Sequence, residues 1–263
     1  MTSLRQLQER RAHECRLTPD RELESLDEAE EFLRDRGLLT RTADCALPSL
    51  HEACHEDAYA PEGKGFAQWP ATKWWWFGAL EQIEGVSAVK VHRGKSLLVT
   101  AETAALFDPI CRAEIERMHS AGESWARLLD HLAEAGPSEL GDLQTELELK
   151  PRELKAIRSP LERYGAVVAR SVVHQGGAGH THTSELARWD QVFPEPSSSG
   201  GGEDLLVAAV RAAVITPEPE VQRWFSWTRL FDEVLVDRLV EEERLFRPEP
   251  GWLAAADDSG GLM

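Results

Sequence analysis

In the stretch KPRELKAIRSPLERYGAVVARSVV, residues 150–173, a helical pattern changes to a strand pattern, and this change decides the fold. Pro151 suits the first turn of a helix, and the helical pattern continues to Tyr164. We expect Pro160 to kink this helix near its end and Gly165 to terminate it. The sequence therefore predicts a helix that leads directly into a strand.

The segment after this helix is predicted to be a β-hairpin. Four β-branched residues indicate its first strand: Val167, Val168, Val172 and Val173. A glycine-rich loop then runs to Gly179, and residues 180–189 form the return strand.

Two further helices are predicted upstream. The first is expected to be capped by Ser124 and to end at Gly136-Pro137, and its apolar stripe consists of Trp125, Leu128, Leu129 and Leu132. The second is short and covers residues 139–147. Residues 123–189 thus read helix, short helix, basic helix, strand, glycine-rich loop and strand. This is the order of a winged-helix domain, which lays its third helix in the major groove of DNA.

The distribution of charge separates this segment from the rest of the chain, whose formal net charge is −17. Residues 1–60 hold 8 basic and 14 acidic side chains, and residues 201–263 hold 6 and 13, whereas residues 150–170 hold six basic and two acidic ones. We predict that this basic face binds duplex DNA, and the alternative is that its charges only solvate an exposed helix. The candidate DNA-binding residues are Lys150, Arg152, Lys155, Arg158, Arg163 and Arg170, with Arg93 and Lys95 of an earlier hairpin and His180 and His182 of the return strand.

A pattern of helix, leucine-anchored turn and two strands occurs three times, starting at Leu80, Leu161 and Leu239. The predicted fold class is mainly α with small β-hairpins, an α+β protein of tandem winged helix-turn-helix modules. The predicted modules cover residues 1–120, 121–193 and 203–263, with a flexible linker at residues 194–202.

The last helix of the third module, residues 231–243, is acidic. It carries Asp232, Glu233, Asp237, Glu241, Glu242 and Glu243. These carboxylates would repel phosphate, so this helix is expected to dock on another module or to bind a protein partner.

The first module contains a hairpin that turns at Arg93-Gly94. The cluster Trp74-Trp75-Trp76 precedes it, and three consecutive rings cannot all face one core. At least one ring is expected to be exposed, where it could stack on a base beside Arg93 and Lys95. The alternative is that the tryptophans wedge between modules.

Three tandem winged-helix modules, with a helix over residues 26–36 that leads into Gly37-Leu38-Leu39, resemble the bacterial DNA glycosylases of the AlkZ and YcaQ type. The resemblance implies a role in DNA repair or self-resistance, with Gln-x-Gln or Gln-x-Asp after the Gly-Leu-Leu segment positioning the attacking water. Here Thr40-Arg41-Thr42 stands in that place, and Asp44 is the candidate catalytic carboxylate downstream. We therefore expect recognition of damaged DNA, and base release stays open.

A competing pattern is His51-Glu52-Ala53-Cys54-His55, which matches H-E-x-x-H. On a helix begun at Pro48-Ser49, His51 and His55 would lie one turn apart and could bind zinc, with Glu52 beside the bound water. Cys54 or Glu56 could add a ligand, but no clear third ligand follows downstream. The other interpretation is a short surface helix with solvated side chains.

No apolar run approaches the roughly 20 residues that span a bilayer, and the N-terminus lacks an apolar signal core, so a cytoplasmic protein with no membrane partner is predicted. The four cysteines are scattered and are expected to be reduced thiols. No glycine-rich phosphate loop follows a strand, so no cofactor is predicted. The alternatives to the DNA-repair function are a winged-helix transcriptional regulator, the zinc-dependent hydrolase and a protein-interaction module.

Overall fold

The computed structural model describes residues 3–176, 179–198 and 200–256, without the side chains of residues 175–182. The protein is mixed α+β, and about half of it is helical. The helices are α1 (Leu4–Glu14), α2 (Leu26–Arg36), α3 (Leu50–Ala53), α4 (Trp76–Leu80), α5 (Ala101–Ala121), α6 (Glu123–Ala135), α7 (Leu140–Glu146), α8 (Pro151–Arg163), α9 (Trp189–Val192), α10 (Gly202–Ala213), α11 (Glu218–Val221) and α12 (Glu233–Glu241). The strands are β1 (Leu38–Thr40), β2 (Val86–His92), β3 (Lys95–Thr100), β4 (Ser138–Glu139), β5 (Val167–Gly176), β6 (Gly179–Arg188), β7 (Thr216–Pro217), β8 (Leu245–Phe246) and β9 (Trp252–Ala255).

The strands form three small antiparallel sheets with one shared order. In each sheet the last strand in sequence lies in the middle, which gives β1-β3-β2, β4-β6-β5 and β7-β9-β8. Each sheet also belongs to the same succession of elements, namely helix, strand, helix, helix, strand and strand. The repetition predicted from the three leucine-anchored turns is therefore present at all three places.

Local signals in the sequence explain most element boundaries. Arg93 and Gly94, with φ of 55° and 82°, form the predicted two-residue turn between β2 and β3. Both residues adopt the left-handed conformation that matches the twist of a hairpin. The helix α8 runs past Pro160 to Arg163, close to its predicted end at Tyr164. Two details differ from the prediction. Gly122 rather than Ser124 is at the N-cap of α6, and α12 begins at Glu233 because the side chain of Asp232 caps it.

The chain divides into two compact units. Unit 1 comprises Met1–Ser87, Leu97–Ala104 and Gly202–Met263, and unit 2 comprises Ala88–Ser96 and Ala105–Gly201. In unit 1, α10 packs against α2 and β9. In unit 2, α8 packs against α6, α7 and β5, and the core there includes Leu128, Leu132, Leu143, Leu154 and Leu161.

The segment predicted as a linker, residues 194–202, is hydrogen-bonded to α5 within unit 2. The buried carboxylate of Asp108 accepts hydrogen bonds from the Ser197 backbone N–H at 2.9 Å and from the Trp189 indole N–H at 2.8 Å. Arg112 also donates to this carboxylate at 2.9 Å. One buried acid thus joins α5, α9 and the start of the segment.

Candidate nucleic-acid interface

The first half of α8 presents exposed cations in unit 2. Leu154 and Leu161 are buried against the core and fix the rotation of the helix. Lys150, Arg152 and Lys155 are exposed, and none of them forms an ion pair with any residue that the structure describes. The carboxylate of Glu153 accepts a hydrogen bond from the backbone N–H of Lys150 at 2.8 Å and so caps the helix. This end of α8 can meet a polyanion without breaking an internal contact.

The second half of α8 contains an ion pair that is formed inside the protein. Glu162 is only 3% exposed, and its carboxylate accepts hydrogen bonds from Arg158 on the same helix and from Lys90 on β2. A buried carboxylate needs such cationic partners because burial without them is costly. Arg158, predicted as a DNA contact, therefore holds α8 together, and Lys90 is a residue of this ion pair that the sequence pattern did not reveal.

The end of α8 lies beside the β2–β3 turn, also within unit 2. A Cβ built on Gly94 would lie 3.9 Å from Cγ and Cδ of Arg163. The guanidinium of Arg163 is 5.9 Å from the ring centroid of Tyr164, and Arg117 is 5.3 Å from the same centroid. Arg163 thus lies beside the turn whose flanking residues are Arg93 and Lys95, two further predicted DNA-binding residues. Nη2 of Arg93 lies 2.9 Å from Nε2 of His92, so Arg93 is oriented by its neighbour.

The β5–β6 hairpin carries the remaining candidates. Arg170 is exposed on β5 opposite Glu185 of β6. His174 Nε2 lies 2.7 Å from a carboxylate oxygen of Glu139 on β4, which ties the hairpin to the third strand of its sheet. His180 and His182 lie in β6, and their side chains are outside the described residues.

The two units differ strongly in charge. Unit 1 carries 16 basic and 31 acidic side chains, a balance of −15, whereas unit 2 carries 13 and 15, a balance of −2. The exposed cations of α8 therefore belong to the nearly neutral unit. The acidic α12 belongs to unit 1, where its exposed face includes Glu233, Asp237 and Glu241.

The H-E-x-x-H segment does not form the helix that a zinc site of this type requires. Ser49 caps α3 as predicted, but the helix ends at Ala53 and His55 has a φ of 44°. His51 is buried, and Nε2 of His55 lies 2.7 Å from the backbone oxygen of Arg16. Within the described part of the chain, neither histidine belongs to a cluster of three side chains able to hold a metal ion.

In the segment Thr40-Arg41-Thr42, which stands in the place of the glycosylase motif, two side chains contact the interior of the protein. The hydroxyl of Thr40 is buried and donates to the Pro48 carbonyl at 3.1 Å. The guanidinium of Arg41 lies over the rings of Trp69 and Phe77. Asp44 is exposed in the loop that follows β1. The role of Arg41 had no signal in the sequence, because its ring partners lie 28 and 36 positions away.

The tryptophan cluster is split between the core and the surface, as expected. Trp76 is 7% exposed, whereas Trp74 and Trp75 are 43% and 47% exposed. Among the helices of the described residues, none is long and apolar enough to cross a membrane. No family model, curated protein or solved structure matches this chain.

Proposed function

We propose that this protein binds duplex DNA through unit 2, with α8 in the major groove, and that it acts in recognition of damaged DNA as a relative of AlkZ-type glycosylases. The observation that carries the proposal is the unpaired charge of Lys150, Arg152 and Lys155 on the exposed first half of α8. Cations that are already fixed on a helix and have no internal partner are available to phosphate oxygens and base edges.

The order of the elements supports a winged-helix interpretation of unit 2. The succession α6, β4, α7, α8, β5 and β6, with β6 between β4 and β5, is the one we expect of a winged helix, in which the third helix enters the groove and the hairpin forms the wing. Arg170 on β5 then extends the cationic surface along the wing. The same order occurs around the other two sheets, which supports tandem modules.

The charge difference between the units supports a single docking face. Phosphate is attracted by unpaired cations and repelled by an excess of carboxylates, so unit 2 is the favoured contact and unit 1 the disfavoured one. An acidic protein with one basic helix binds DNA in one orientation rather than coating it.

The test is the affinity for a labelled duplex measured between about 50 and 200 mM salt. Replacing Arg152 and Lys155 together by alanine should weaken binding and lower the slope of log affinity against log salt by about 2, because each phosphate contact contributes about 0.9. Arg127→Ala is the matched control, because Arg127 is an exposed arginine of unit 2 on α6. An unchanged slope in the double variant, or an equal change in the control, would show that α8 is not the contact.

We further propose that binding occurs without base release. The buried hydroxyl of Thr40 is committed to the Pro48 carbonyl, so it is not free to position an attacking water. Incubation with alkylated and crosslinked duplexes should leave the bases in place, and release of a base from either would overturn this part of the proposal. Tighter binding of a damaged duplex than of an intact one distinguishes damage recognition from transcriptional regulation.

A further inference from the structure

An aromatic cluster reaches the surface of unit 1. Phe66 is at its centre, with ring centroids 4.8 Å from Trp69, 5.2 Å from Trp74 and 6.2 Å from Tyr59. Phe66, Trp74 and Tyr59 are exposed, whereas Trp69 is half-buried. Exposure of aromatic rings to water is unfavourable, and a planar or apolar group that covers them removes this cost in free energy.

Arg41 lies behind these rings as a preoriented cation. Its Cζ is 4.6 Å from the ring centroid of Trp69 and 4.2 Å from that of Phe77. Stacking of this kind covers the faces of a guanidinium and leaves its N–H bonds directed outward in the plane. The Arg41 side chain makes no hydrogen bond to any residue that the structure describes, and its Nε is buried without an acceptor. The outward edge of the Arg41 guanidinium therefore has the geometry that can bind an oxyanion through two parallel hydrogen bonds.

His51 is a second polar group of the same cluster. It is 9% exposed, its ring centroid is 5.5 Å from that of Trp69, and the Trp74 backbone is the hydrogen-bonding group beside its ring, without the geometry of a full hydrogen bond. A neutral imidazole has one donor and one acceptor nitrogen, so its N–H, like the guanidinium of Arg41, lacks a well-placed acceptor. Glu81 is the carboxylate whose charge acts on Arg41, and it is not hydrogen-bonded to it.

We propose that this cluster binds an unpaired nucleotide, with Arg41 and His51 holding the phosphate and Phe66 and Trp74 stacking on the base. The donors require an anion, and the adjoining exposed rings require a flat partner. A nucleotide combines the two in one molecule. The inference rests on the proposed function in taking nucleic acid as the source of the nucleotide, but it uses residues of unit 1 alone.

The experiment measures binding of fluorescent oligothymidylate of about 10 nucleotides to the full chain. Phe66→Ala and Trp74→Ala should each weaken binding about ten-fold, because stacking of one base contributes on that order. Phe66 and Trp74 are 46% and 43% exposed, and thermal unfolding of both variants checks that they keep the fold. Trp75→Ala is the matched control, because Trp75 has nearly the same exposure as its neighbour Trp74 and no ring contact with the cluster among the described residues.

Arg41 is tested with two variants and a check of folding by thermal unfolding. Arg41→Gln should abolish binding, and Arg41→Lys should fail to restore it, because an ammonium group lacks the planar fork. Thymidine monophosphate should compete with the oligonucleotide at far lower concentration than inorganic phosphate does. Equal competition by inorganic phosphate would remove the stacking role and overturn the proposal, as would an equal loss in Trp75→Ala.

The outcome is separable from that of the duplex experiment. Phe66→Ala should leave duplex affinity unchanged, and the double replacement of Arg152 and Lys155 should leave oligothymidylate affinity unchanged. If oligothymidylate binding depends on α8 and not on Phe66 or Trp74, the nucleotide site is wrong while the duplex proposal stands. If duplex binding is absent but the aromatic variants lose oligothymidylate, the reverse holds.

Discussion

Arg158 donates a hydrogen bond to one carboxylate oxygen of Glu162, one helical turn further along α8, while Lys90 donates to the other oxygen. The carboxylate is buried, so its charge depends on both cations. This arrangement joins the last turns of α8 to β2. It also divides the basic residues of α8 into an internal set and an exposed set.

The first prediction is that Arg158→Ala destabilises the protein by about 2 kcal/mol, because it leaves a buried carboxylate with one partner. Chemical denaturation followed by circular dichroism measures the change. Arg152→Ala is the matched control on the same helix, and it should change stability by no more than about 0.5 kcal/mol, since the side chain is exposed. Equal stability of the two variants would contradict the internal role of Arg158.

The second prediction concerns Gly165, which has a φ of 73° directly after α8. A Cβ at this position would lie 2.4 Å from Sγ of Cys111 and 3.2 Å from Cγ1 of Val91. Both atoms are in the core, so we expect Gly165→Ala to cost about 3 kcal/mol through backbone strain and overpacking together.

Gly85→Ala separates the two contributions. Gly85 has a φ of 79°, and a Cβ there would meet nothing within 4 Å. Its replacement should cost only the backbone term, about 1 kcal/mol. Thermal unfolding of both variants measures the difference, and equal losses would mean that packing against Cys111 does not constrain this position.

The third prediction is that Asp108→Ala frees the segment at residues 194–202. The variant removes the acceptor of the Trp189 indole N–H and of the Ser197 backbone N–H, and the buried indole alone should cost about 2 kcal/mol. Limited proteolysis should then cut within residues 194–202 faster than in the wild type, as read by mass spectrometry. Asp142→Ala, on the exposed face of α7, should leave the cleavage rate unchanged.

Features set by neighbouring residues were predictable from the sequence. The Arg93-Gly94 turn, the end of the helix at Gly165 and the repeated helix–hairpin pattern depend on local backbone preferences, which act over a few residues. The exposed cations of α8 followed from the same local reasoning. The contact of these cations with DNA stays a prediction.

Features set by distant contacts were not predictable. The pairing of Lys90 with Glu162 spans 72 positions, so the sequence did not show that Arg158 shares a buried carboxylate. Likewise the helix at His51 ends early, and the contact of His55 with the Arg16 backbone comes from 39 positions away. Spacing alone predicted two imidazoles on one helix, whereas tertiary packing separates them.

The fourth prediction is a pH dependence of stability that originates at His51. Burial, followed by the charge of Arg41, lowers the pKa of His51 from 6.5 to about 4, against a small opposing effect of the Trp74 backbone. In the unfolded chain the imidazole binds a proton near its ordinary pKa of about 6.5. Between these two values the unfolded state holds one more proton, so stability falls as the pH falls from about 6.5 to about 4.

The full effect should be about 3 kcal/mol, and His51→Phe should abolish it while keeping a ring against Trp69. The measurement is the free energy of unfolding in urea at several pH values from 7 to about 4. Titrating carboxylates contribute equally to both proteins, so the difference between wild type and variant isolates His51. A difference between wild type and His51→Phe that stays constant across this range would mean that His51 does not titrate in the way its burial requires.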